Sequence, residues 1–427
     1  MRWGGVPFIR HRRVDVTSVG LSKLGLLTNL QYLYLHIMNI ENLADVINSL
    51  SHIGLRELSI FGMYTNLEQD CMEAFSKLTT LTVLNIGGNH ISSCGLSKLT
   101  SLKKLQCLYM SNCFNVSIEM MKDVGNIGTS LLELDLSGCA IDDECLIAIS
   151  KITSLRKLSL GNRINRSSVG LSYLTGTSIT ELSIGGLSLD EECIKNIFGI
   201  PSLNVLKLNN TVRFATCHIS GLHLTHLSLF RSGVGDDGCL KAISNVPSMK
   251  VLDISFNYHI THFGLSYLSC SNLLELRLDE CHLYDECYAS LGTIKSLHKL
   301  DITGNGKITP INLNKLTALS NLKSLNLSNC HGVTAKCIEV VSKLSLTELN
   351  IGNCNVRDAC LAVVRKISSL KMLHLFNSDK ITAAGLINVS KLKALHYLDL
   401  NGCKKISTSD LKCVFHVDRV DHFIDDW

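Results

Sequence analysis

Hydrophobic residues recur along the chain in the pattern Leu-x-x-Leu-x-Leu, which is found sixteen times. The middle position of every copy is leucine, and most copies start 24 to 26 residues after the last: Leu33, Leu58, Leu84, Leu108, Leu134, Leu158, Leu182, Leu206, Leu227, Leu252, Leu276, Leu300, Leu325, Leu349, Leu373 and Leu398. Such a period is typical of a protein built from stacked repeats. The shortest interval, 21 residues from Leu206 to Leu227, predicts a local kink within residues 213–220.

Each repeat contains one strand-like and one helix-like segment. Residues 131–136 alternate apolar and polar side chains, which predicts a strand with one buried and one solvent-facing side. Residues 145–152 have the apolar spacing of a helix. A Ser, Thr or Asp of helix-capping type precedes most of these helical segments, at Ser92, Asp142, Asp190, Thr261, Thr309, Thr334, Thr382 and Ser407.

Eighteen cysteines are spread along the chain, and fourteen of them fall at two fixed points of the repeat. Six follow the strand: Cys113, Cys139, Cys281, Cys330, Cys354 and Cys403. Eight stand at the helical segment: Cys71, Cys94, Cys145, Cys193, Cys239, Cys287, Cys337 and Cys360. Cysteines in phase with the repeat are expected to be small buried residues, and five closely spaced pairs lack the spacing of zinc ligands. We therefore expect free thiols, no metal and no cofactor.

Composition narrows the class of protein. Hydrophobic residues make up 46% of the chain and charged residues 18%, and the formal net charge of +4 is spread along its length. These values disfavour nucleic acid and anionic membranes as partners. Neither a membrane-spanning apolar run nor a secretory signal is recognisable. Together with the buried thiols, this predicts a cytoplasmic protein, with the nucleus as the alternative location.

Particular repeat sequences resemble known families. The pairing of residues 136–139, Leu-Ser-Gly-Cys, with residues 142–146, Asp-Asp-Glu-Cys-Leu, resembles cysteine-containing leucine-rich repeats of ubiquitin-ligase substrate receptors. The glycine variant at residues 19–24, 94–99, 169–174 and 263–268 resembles leucine-rich repeat families of kinetoplastid parasites, one member of which is described as an adenylate cyclase regulator. The resemblance implies an α/β fold: a right-handed leucine-rich repeat horseshoe of about 16 repeats, with a parallel sheet on the concave face and short helices on the convex face.

The ends of the chain depart from the repeat. Residues 1–20 are interpreted as a degenerate cap or partial repeat, residues 21–412 as the leucine-rich repeat domain, and residues 413–427 as a C-terminal cap and tail. The pattern starts in mid-repeat, so either residues 1–13 form a cap or a longer protein has a preceding part. A ligase role would require an adaptor-binding segment upstream of Met1.

Solvent-facing strand residues are the candidates for function, since burial does not explain them. One column of neighbours contains Asp253, Arg277 and Asp301, which are expected to form a charge ladder flanked by Glu275 and Lys299. Either these charges only neutralise one another, or they present a polar recognition strip.

Two aromatic patches are further candidates for partner binding. Tyr32, Tyr34, His36 and Phe61 fall on the first two strands, and the last two strands carry Met372, His374, Phe376, Tyr397 and Asp399. Aromatic side chains are enriched at binding hot spots, although the first patch has contact with a cap as its alternative role. His374 beside Asp399 resembles part of a catalytic triad but lacks a positioned nucleophile, so no catalytic residue is assigned.

The sequence thus predicts a monomeric, non-enzymatic protein that binds a protein partner through the concave face, as a scaffold or regulator. The alternatives are a substrate-recognition component of a ubiquitin ligase and a regulator of a signalling enzyme such as an adenylate cyclase.

Overall fold

The computed structural model describes residues 17–35, 40, 42–61, 66–92, 96–113, 116–128, 130–161, 168–186, 189–210, 223–234, 237–306, 308–407 and 409–411. The chain divides into two compact units, Met1–Ile179 and Thr180–Trp427. The predicted kink at residues 213–220, residues 1–16 of the predicted N-terminal cap and the whole predicted C-terminal cap lie outside the described residues, as does His36.

Within the described residues, the first unit contains six parallel strands that follow one another in the sheet in chain order: β1 (Tyr32–Leu35), β2 (Glu57–Ile60), β4 (Val83–Asn85), β6 (Cys107–Tyr109), β7 (Glu133–Leu136) and β8 (Lys157–Gly161). Two further strands, β3 (Asn66–Leu67) and β5 (His90–Ile91), pair with each other. The α-helices are α1 (Ser18–Ser22), α2 (Leu43–Ser49), α3 (Gln69–Ser76), α4 (Ile118–Gly125), α5 (Asp143–Ser150) and α6 (Ser168–Ser172). Short 3₁₀ helices span Lys23–Leu26, Leu96–Ser101 and Tyr173–Gly176.

The described part of the second unit repeats this plan with ten parallel strands in chain order: β9 (Glu181–Gly185), β10 (Val205–Asn209), β11 (His226–Ser228), β12 (Val251–Asp253), β13 (Glu275–Arg277), β14 (Lys299–Asp301), β15 (Ser324–Asn326), β16 (Glu348–Asn350), β17 (Met372–His374) and β18 (Tyr397–Asp399). Its helices are α7 (Glu191–Phe198), α8 (Asp237–Ser244), α9 (His262–Tyr267), α10 (Asp285–Leu291), α11 (Pro310–Leu316), α12 (Ala335–Val341), α13 (Asp358–Val364) and α14 (Ala383–Val389), with a 3₁₀ turn at Leu268–Cys270.

The marker leucines fix the register of the parallel strands in each unit. All sixteen lie in strands, and paired strands place marker beside marker, as Leu276 beside Leu300 and Leu300 beside Leu325. Each marker is buried, while the residues on either side of it are half-buried or exposed. Burying one leucine stabilises the fold by about 1.5 to 3 kcal/mol, so the repeated leucine is sufficient to select this register. The predicted strands and α/β repeat architecture are confirmed.

Cysteine and asparagine perform the same task after the strand. The Sγ of Cys139 donates to the Met110 carbonyl of the previous repeat at 3.0 Å, and Cys354 donates likewise to Leu327 at 2.9 Å. In another repeat the Nδ2 of Asn257 donates to the Leu229 carbonyl at 2.9 Å. Either side chain therefore donates to a buried carbonyl of the preceding repeat and adds a hydrogen bond between neighbouring repeats. No disulfide joins the fifteen cysteines within the described residues.

Most of the predicted helix caps are present. Asp142 and Asp190 accept the backbone amides of Cys145 and Cys193 at 2.8 and 2.7 Å, and Thr309 forms a capping box with Asn312. Thr382 differs: its hydroxyl donates to the Oδ2 of Asp358 at 2.7 Å and makes no cap bond to its own helix.

This contact with aspartate explains why a repeat with glycine in its helix follows a repeat with cysteine in its helix. The Thr261 hydroxyl donates to Asp237 Oδ1, the first residue of the preceding helix, at 2.6 Å. A Cβ on Gly264 would lie 2.6 Å from that same oxygen, so only glycine leaves room for the hydrogen bond. Gly170 and Gly385 face aspartates in the same way. The glycine and aspartate of neighbouring repeats therefore fit together as a pair.

Candidate functional site

The candidate site is the solvent-facing side of each sheet. We call it the sheet face and define it as the two strand residues that flank each marker leucine, together with the residue two positions further on. On β13, for example, it comprises Glu275, Arg277 and Asp279.

Many polar residues of this face hold the turn that follows their own strand. In seven strands an Asp or Asn Oδ1 accepts the backbone amide two residues later: Asn85, Asp135, Asp253, Asp301, Asn326, Asn350 and Asp399. This side-chain turn satisfies an amide as the strand ends. These seven residues therefore have a structural role that the repeat pattern alone did not predict.

The predicted charge ladder has the expected register, but its closest ion pair is not between neighbours in the ladder. Asp253, Arg277 and Asp301 are neighbours on β12, β13 and β14, as predicted. Arg277, however, makes its close ion pair with Glu275 of its own strand, with Nε 2.8 Å from Oε1. Burial of the guanidinium opposes its charge, but Glu275, followed by Asp253 and Asp301, raises the pKa of Arg277.

His374 lies at the centre of the second aromatic patch. Its Nδ1 is 3.6 Å from Asp399 Oδ2, its Nε2 is 3.8 Å from Glu348 Oε1, and its ring is 5.0 Å from that of Tyr397. Burial alone would lower the pKa of His374, but the Asp399 and Glu348 carboxylates outweigh it and raise the pKa to about 9. His374 is therefore an imidazolium at neutral pH, and it lowers the pKa of Glu348 in turn.

This protonation state bears on catalysis. A general base must have an unprotonated nitrogen near neutral pH, whereas His374 has carboxylates facing both of its ring nitrogens. The His374–Asp399 pair therefore has the geometry of a structural ion pair. Met372, Phe376 and Tyr397 are half-buried around it, and a Cβ on Gly352 would collide with the Phe376 ring. The Phe376 ring thus lies over Gly352 of the preceding repeat, a position that has no side chain.

The first aromatic patch is more exposed. Tyr32 and Tyr34 on β1 are 55% and 45% exposed, and Tyr32 lies beside Glu57 of β2. Burial, together with Glu57, raises the pKa of Tyr34 to about 12, so its hydroxyl stays protonated. Phe61 lies against Gly87, where an added Cβ would be 3.0 Å from the Phe61 ring.

Two residues of the sheet face were missed by the sequence analysis. Asp279 follows β13, and Glu348 on β16 completes the surroundings of His374. The signal for Asp279 is its place two residues after Arg277, which continues the alternation beyond the strand. The signal for Glu348 is its register opposite Met372 on β17.

A second surface lies outside the sheet face. Tyr258 stacks on His282 with ring centroids 4.7 Å apart, and the Tyr284 hydroxyl lies 2.9 Å from Nδ1 of His262. Phe263, next to His262, is 63% exposed. The pattern of Tyr and His in the turns and at helix starts is the signal that could have identified it.

The described part of the chain contains neither a metal-binding cluster nor a membrane-spanning helix. No group of three or more His, Cys, Asp or Glu side chains there is arranged to hold a metal ion. None of the helices in these ranges has the length and apolar character needed to cross a bilayer.

The stacked strand, turn and helix units, with leucine at every marker, identify the chain as a leucine-rich repeat protein. A family model described as "Leucine Rich repeat" matches residues 77–99, 129–150 and 222–241. Proteins of this fold offer extended surfaces suited to protein–protein interaction and are typically not enzymes.

Two known proteins show what the chain is similar to. A Trypanosoma equiperdum protein named as an adenylate cyclase regulatory protein is 29% identical over 140 residues, which cover 33% of this chain and 22% of that protein. The chain thus matches about a fifth of the length of this relative. The crystal structure of an internalin from Listeria monocytogenes is 21% identical, covers 89% of this chain and 88% of its own, and has a TM-score of 0.37.

Proposed function

We propose that the protein binds a protein partner through its sheet face and acts as an intracellular scaffold or regulator without catalytic activity. The observation that carries the proposal is the C-terminal patch. There Met372, His374 and Tyr397 stand together on β17 and β18, and none of them accepts a backbone amide to hold a turn, unlike Asp399 beside them. Aromatic residues and methionine are enriched at the cores of protein interfaces, which supports this patch as a binding site.

The remaining candidates contribute to the same proposal. Tyr32, Tyr34 and Phe61 form a second contact region on the first unit, and Arg277, flanked by Asp253 and Asp301, supplies the polar region of the second unit. The cysteines support an intracellular location, since thirteen of the fifteen described are buried and none is in a disulfide.

Affinity purification from the cells that make the protein tests this proposal. The variant Met372→Ala with Tyr397→Ala removes two side chains of the patch, and we expect it to lose a partner that the wild type retains. With the purified partner, its Kd should rise about 30-fold, the size of one strong hot spot. The matched control is Tyr267→Ala with Ile387→Ala, which removes two exposed apolar side chains of α9 and α14. Identical partner lists and affinities for the wild type and the patch variant would contradict the proposal.

A second candidate function is regulation of a nucleotide cyclase, favoured by the name of the Trypanosoma relative. Cyclase activity measured with and without the purified protein distinguishes it from a passive scaffold. Unchanged cyclic AMP production at saturating protein concentration would remove this candidate.

A further inference from the structure

The turn after each strand contains one residue with a left-handed backbone. It stands four positions after the marker leucine, and we call the set of these residues the turn row. Thirteen of them lie within the described residues, and all have positive φ: Gly88, Asn112, Gly138, Gly186, Asn210, Arg231, Phe256, Glu280, Gly304, Asn329, Asn353, Asn377 and Gly402. Ten of the thirteen are glycine or asparagine, the residues that adopt this conformation most readily.

The three exceptions occupy three successive repeats of the second unit. Arg231, Phe256 and Glu280 follow β11, β12 and β13, and their φ angles are 51°, 59° and 48°. A left-handed backbone is unfavourable for such residues, because Cβ comes too close to the following carbonyl oxygen. Strained residues cluster at functional sites, so these three side chains are candidates for binding.

The three side chains place opposite charges on either side of a ring. Amide hydrogen bonds of 2.9 Å from Arg231 and 2.7 Å from Phe256, each to the next turn, hold the turns side by side. Arg231 is exposed, the half-buried Phe256 ring lies 4.8 Å from that of Phe230, and Glu280 lies over Gly304. Within the described residues neither Arg231 nor Glu280 forms an ion pair. Both charges are therefore available to a partner.

Exposed aromatic side chains are concentrated around the middle turn. In the described part of the second unit, the exposed phenylalanine and tyrosine side chains are Tyr258, Phe263, Tyr267 and Tyr284. The first three belong to the same repeat as Phe256, and Tyr258 lies only two residues beyond it. The middle repeat thus supplies apolar area, with a cation in the repeat before it and a carboxylate in the repeat after it.

This arrangement is complementary to itself. In a two-fold symmetric dimer every contact between two different residues occurs twice. An axis through the middle repeat would place Phe256 against Phe256 of a second copy, and Arg231 of each copy against Glu280 of the other. Two copies with their repeats running in the same direction would instead bring like charges together, which is unfavourable.

From this charge complementarity we propose that the turns containing Arg231, Phe256 and Glu280 form the interface of a homodimer, so that their partner is a second copy of this chain. The inference goes beyond the proposed function. It replaces the sequence-based expectation of a monomer, because periodicity does not show which turn residues are strained. Met372 and Tyr397 lie on β17 and β18, outside these turns, so each copy keeps its own C-terminal patch.

Sedimentation velocity of the full chain tests the dimer. The wild-type sedimentation coefficient should rise between about 1 and about 200 µM and level off at the value of a dimer. Arg231→Glu would bring two carboxylates together and Glu280→Arg two guanidinium groups, so each should raise the dimer Kd about 30-fold or more. An equimolar mixture of the two variants should dimerise with about the wild-type affinity, because opposite charges then face each other at both contacts.

The turn row itself shows that these substitutions suit the fold, since it already contains both arginine and glutamate. Lys343→Glu, at an exposed residue after α12, is the matched control and should leave the Kd unchanged. Arg231→Asn introduces the residue found at Asn210 and Asn329 of the same row. It should unfold at a higher urea concentration because the strain is relieved, yet its dimer Kd should rise about 5-fold. A purely structural role of Arg231 would not weaken the dimer while stabilising the fold.

Several outcomes would overturn the inference. These are a wild type that stays monomeric at the highest concentration, charge-reversal variants that dimerise like the wild type, or a mixture of these variants that stays monomeric. Assemblies that grow beyond a dimer would overturn the two-fold arrangement. None of these outcomes decides the proposed function, because the effect of Met372→Ala with Tyr397→Ala is measured separately with a purified partner.

Discussion

Individual side chains on the sheet face divide into those that hold a turn and those that do not. Asp301 accepts the Thr303 amide at 3.0 Å, and Asp399 accepts the Asn401 amide at the same distance. Arg277 and His374 occupy the same column but cap no turn. The charge of an aspartate is not required for a turn that asparagine forms equally well. At these positions the turn accounts for an Asp or Asn side chain. It does not account for the choice of Asp over Asn.

The protonation of His374 gives a prediction at this scale. Because its folded pKa is raised to about 9, the ion pairs contribute stability that is complete below the unfolded pKa of about 6.5 and is lost as pH rises through 9. His374→Gln should therefore cost about 1 to 3 kcal/mol of unfolding free energy at pH 6 and much less at pH 10.

Nuclear magnetic resonance titration of the imidazole measures this directly, with the signal assigned from its loss in His374→Gln. We expect a midpoint near 9 in the wild type and a lower one in Asp399→Asn, whose asparagine keeps the turn. Asp379→Asn, which alters an exposed pair with Lys404, serves as the control and should leave the midpoint unchanged. A wild-type midpoint near 6.5 would contradict the ion-pair geometry.

The strands and their register could be predicted from the sequence, whereas the partners of individual side chains could not. The leucine period gave each strand and its register, because one buried face allows only one alignment. The column containing Asp253, Arg277 and Asp301 was predicted correctly for the same reason. The partners within it were not predicted, because the choice of Glu275 for Arg277 depends on side-chain conformation, which periodicity does not specify. The turn bonds were missed because an Asx side chain can face either solvent or its own backbone.

At the scale of elements, neighbouring helices are fitted together by an aspartate and a glycine. The first residue of α8, Asp237, accepts the Thr261 hydroxyl at the start of α9, and Gly264 in α9 leaves space for it. The sequence showed that glycine and cysteine repeats are both present, but not why, since the reason is a contact between two repeats. This contact also explains how a helix can keep a glycine that is unfavourable for helix formation by about 1 kcal/mol.

A double-mutant cycle tests this fit. Gly264→Ala should destabilise the protein by about 1 to 3 kcal/mol, because the added Cβ would meet Asp237 Oδ1 at 2.6 Å and Leu240 Cδ1 at 2.9 Å. In the Asp237→Ala background, the same substitution should cost less, since only the contact with the end of the Leu240 side chain remains and alanine favours the helix.

Chemical unfolding followed by circular dichroism supplies the four free energies. Gly125→Ala at the end of α4 is the matched control, because its added Cβ would have only an ordinary contact, 3.8 Å from Ile152. It should be neutral or slightly stabilising. Additive effects of Gly264→Ala and Asp237→Ala would mean that the two residues are not coupled.

At the scale of the whole molecule, stability is distributed repeat by repeat. In the second unit each strand pairs only with the strands before and after it, and each marker leucine lies beside the markers of those strands. Stability in such an arrangement approximates a sum of repeat and nearest-neighbour terms. A surface carried by these repeats can therefore vary in one region while the other repeats stay folded.

Substitution of one marker leucine tests this distribution. Leu300 is 2% exposed in β14, so Leu300→Ala should cost about 2 to 5 kcal/mol through lost burial and the cavity that remains. Because the loss acts through nearest neighbours, hydrogen exchange should accelerate most in β13, β14 and β15 and progressively less toward β18. Ile311→Ala, which truncates a 72% exposed side chain of α11, should leave exchange in these strands unchanged. Equal acceleration in β14 and β18 would show that the second unit unfolds as a single cooperative block, and a partner bound at Tyr397 would then be sensitive to damage four strands away.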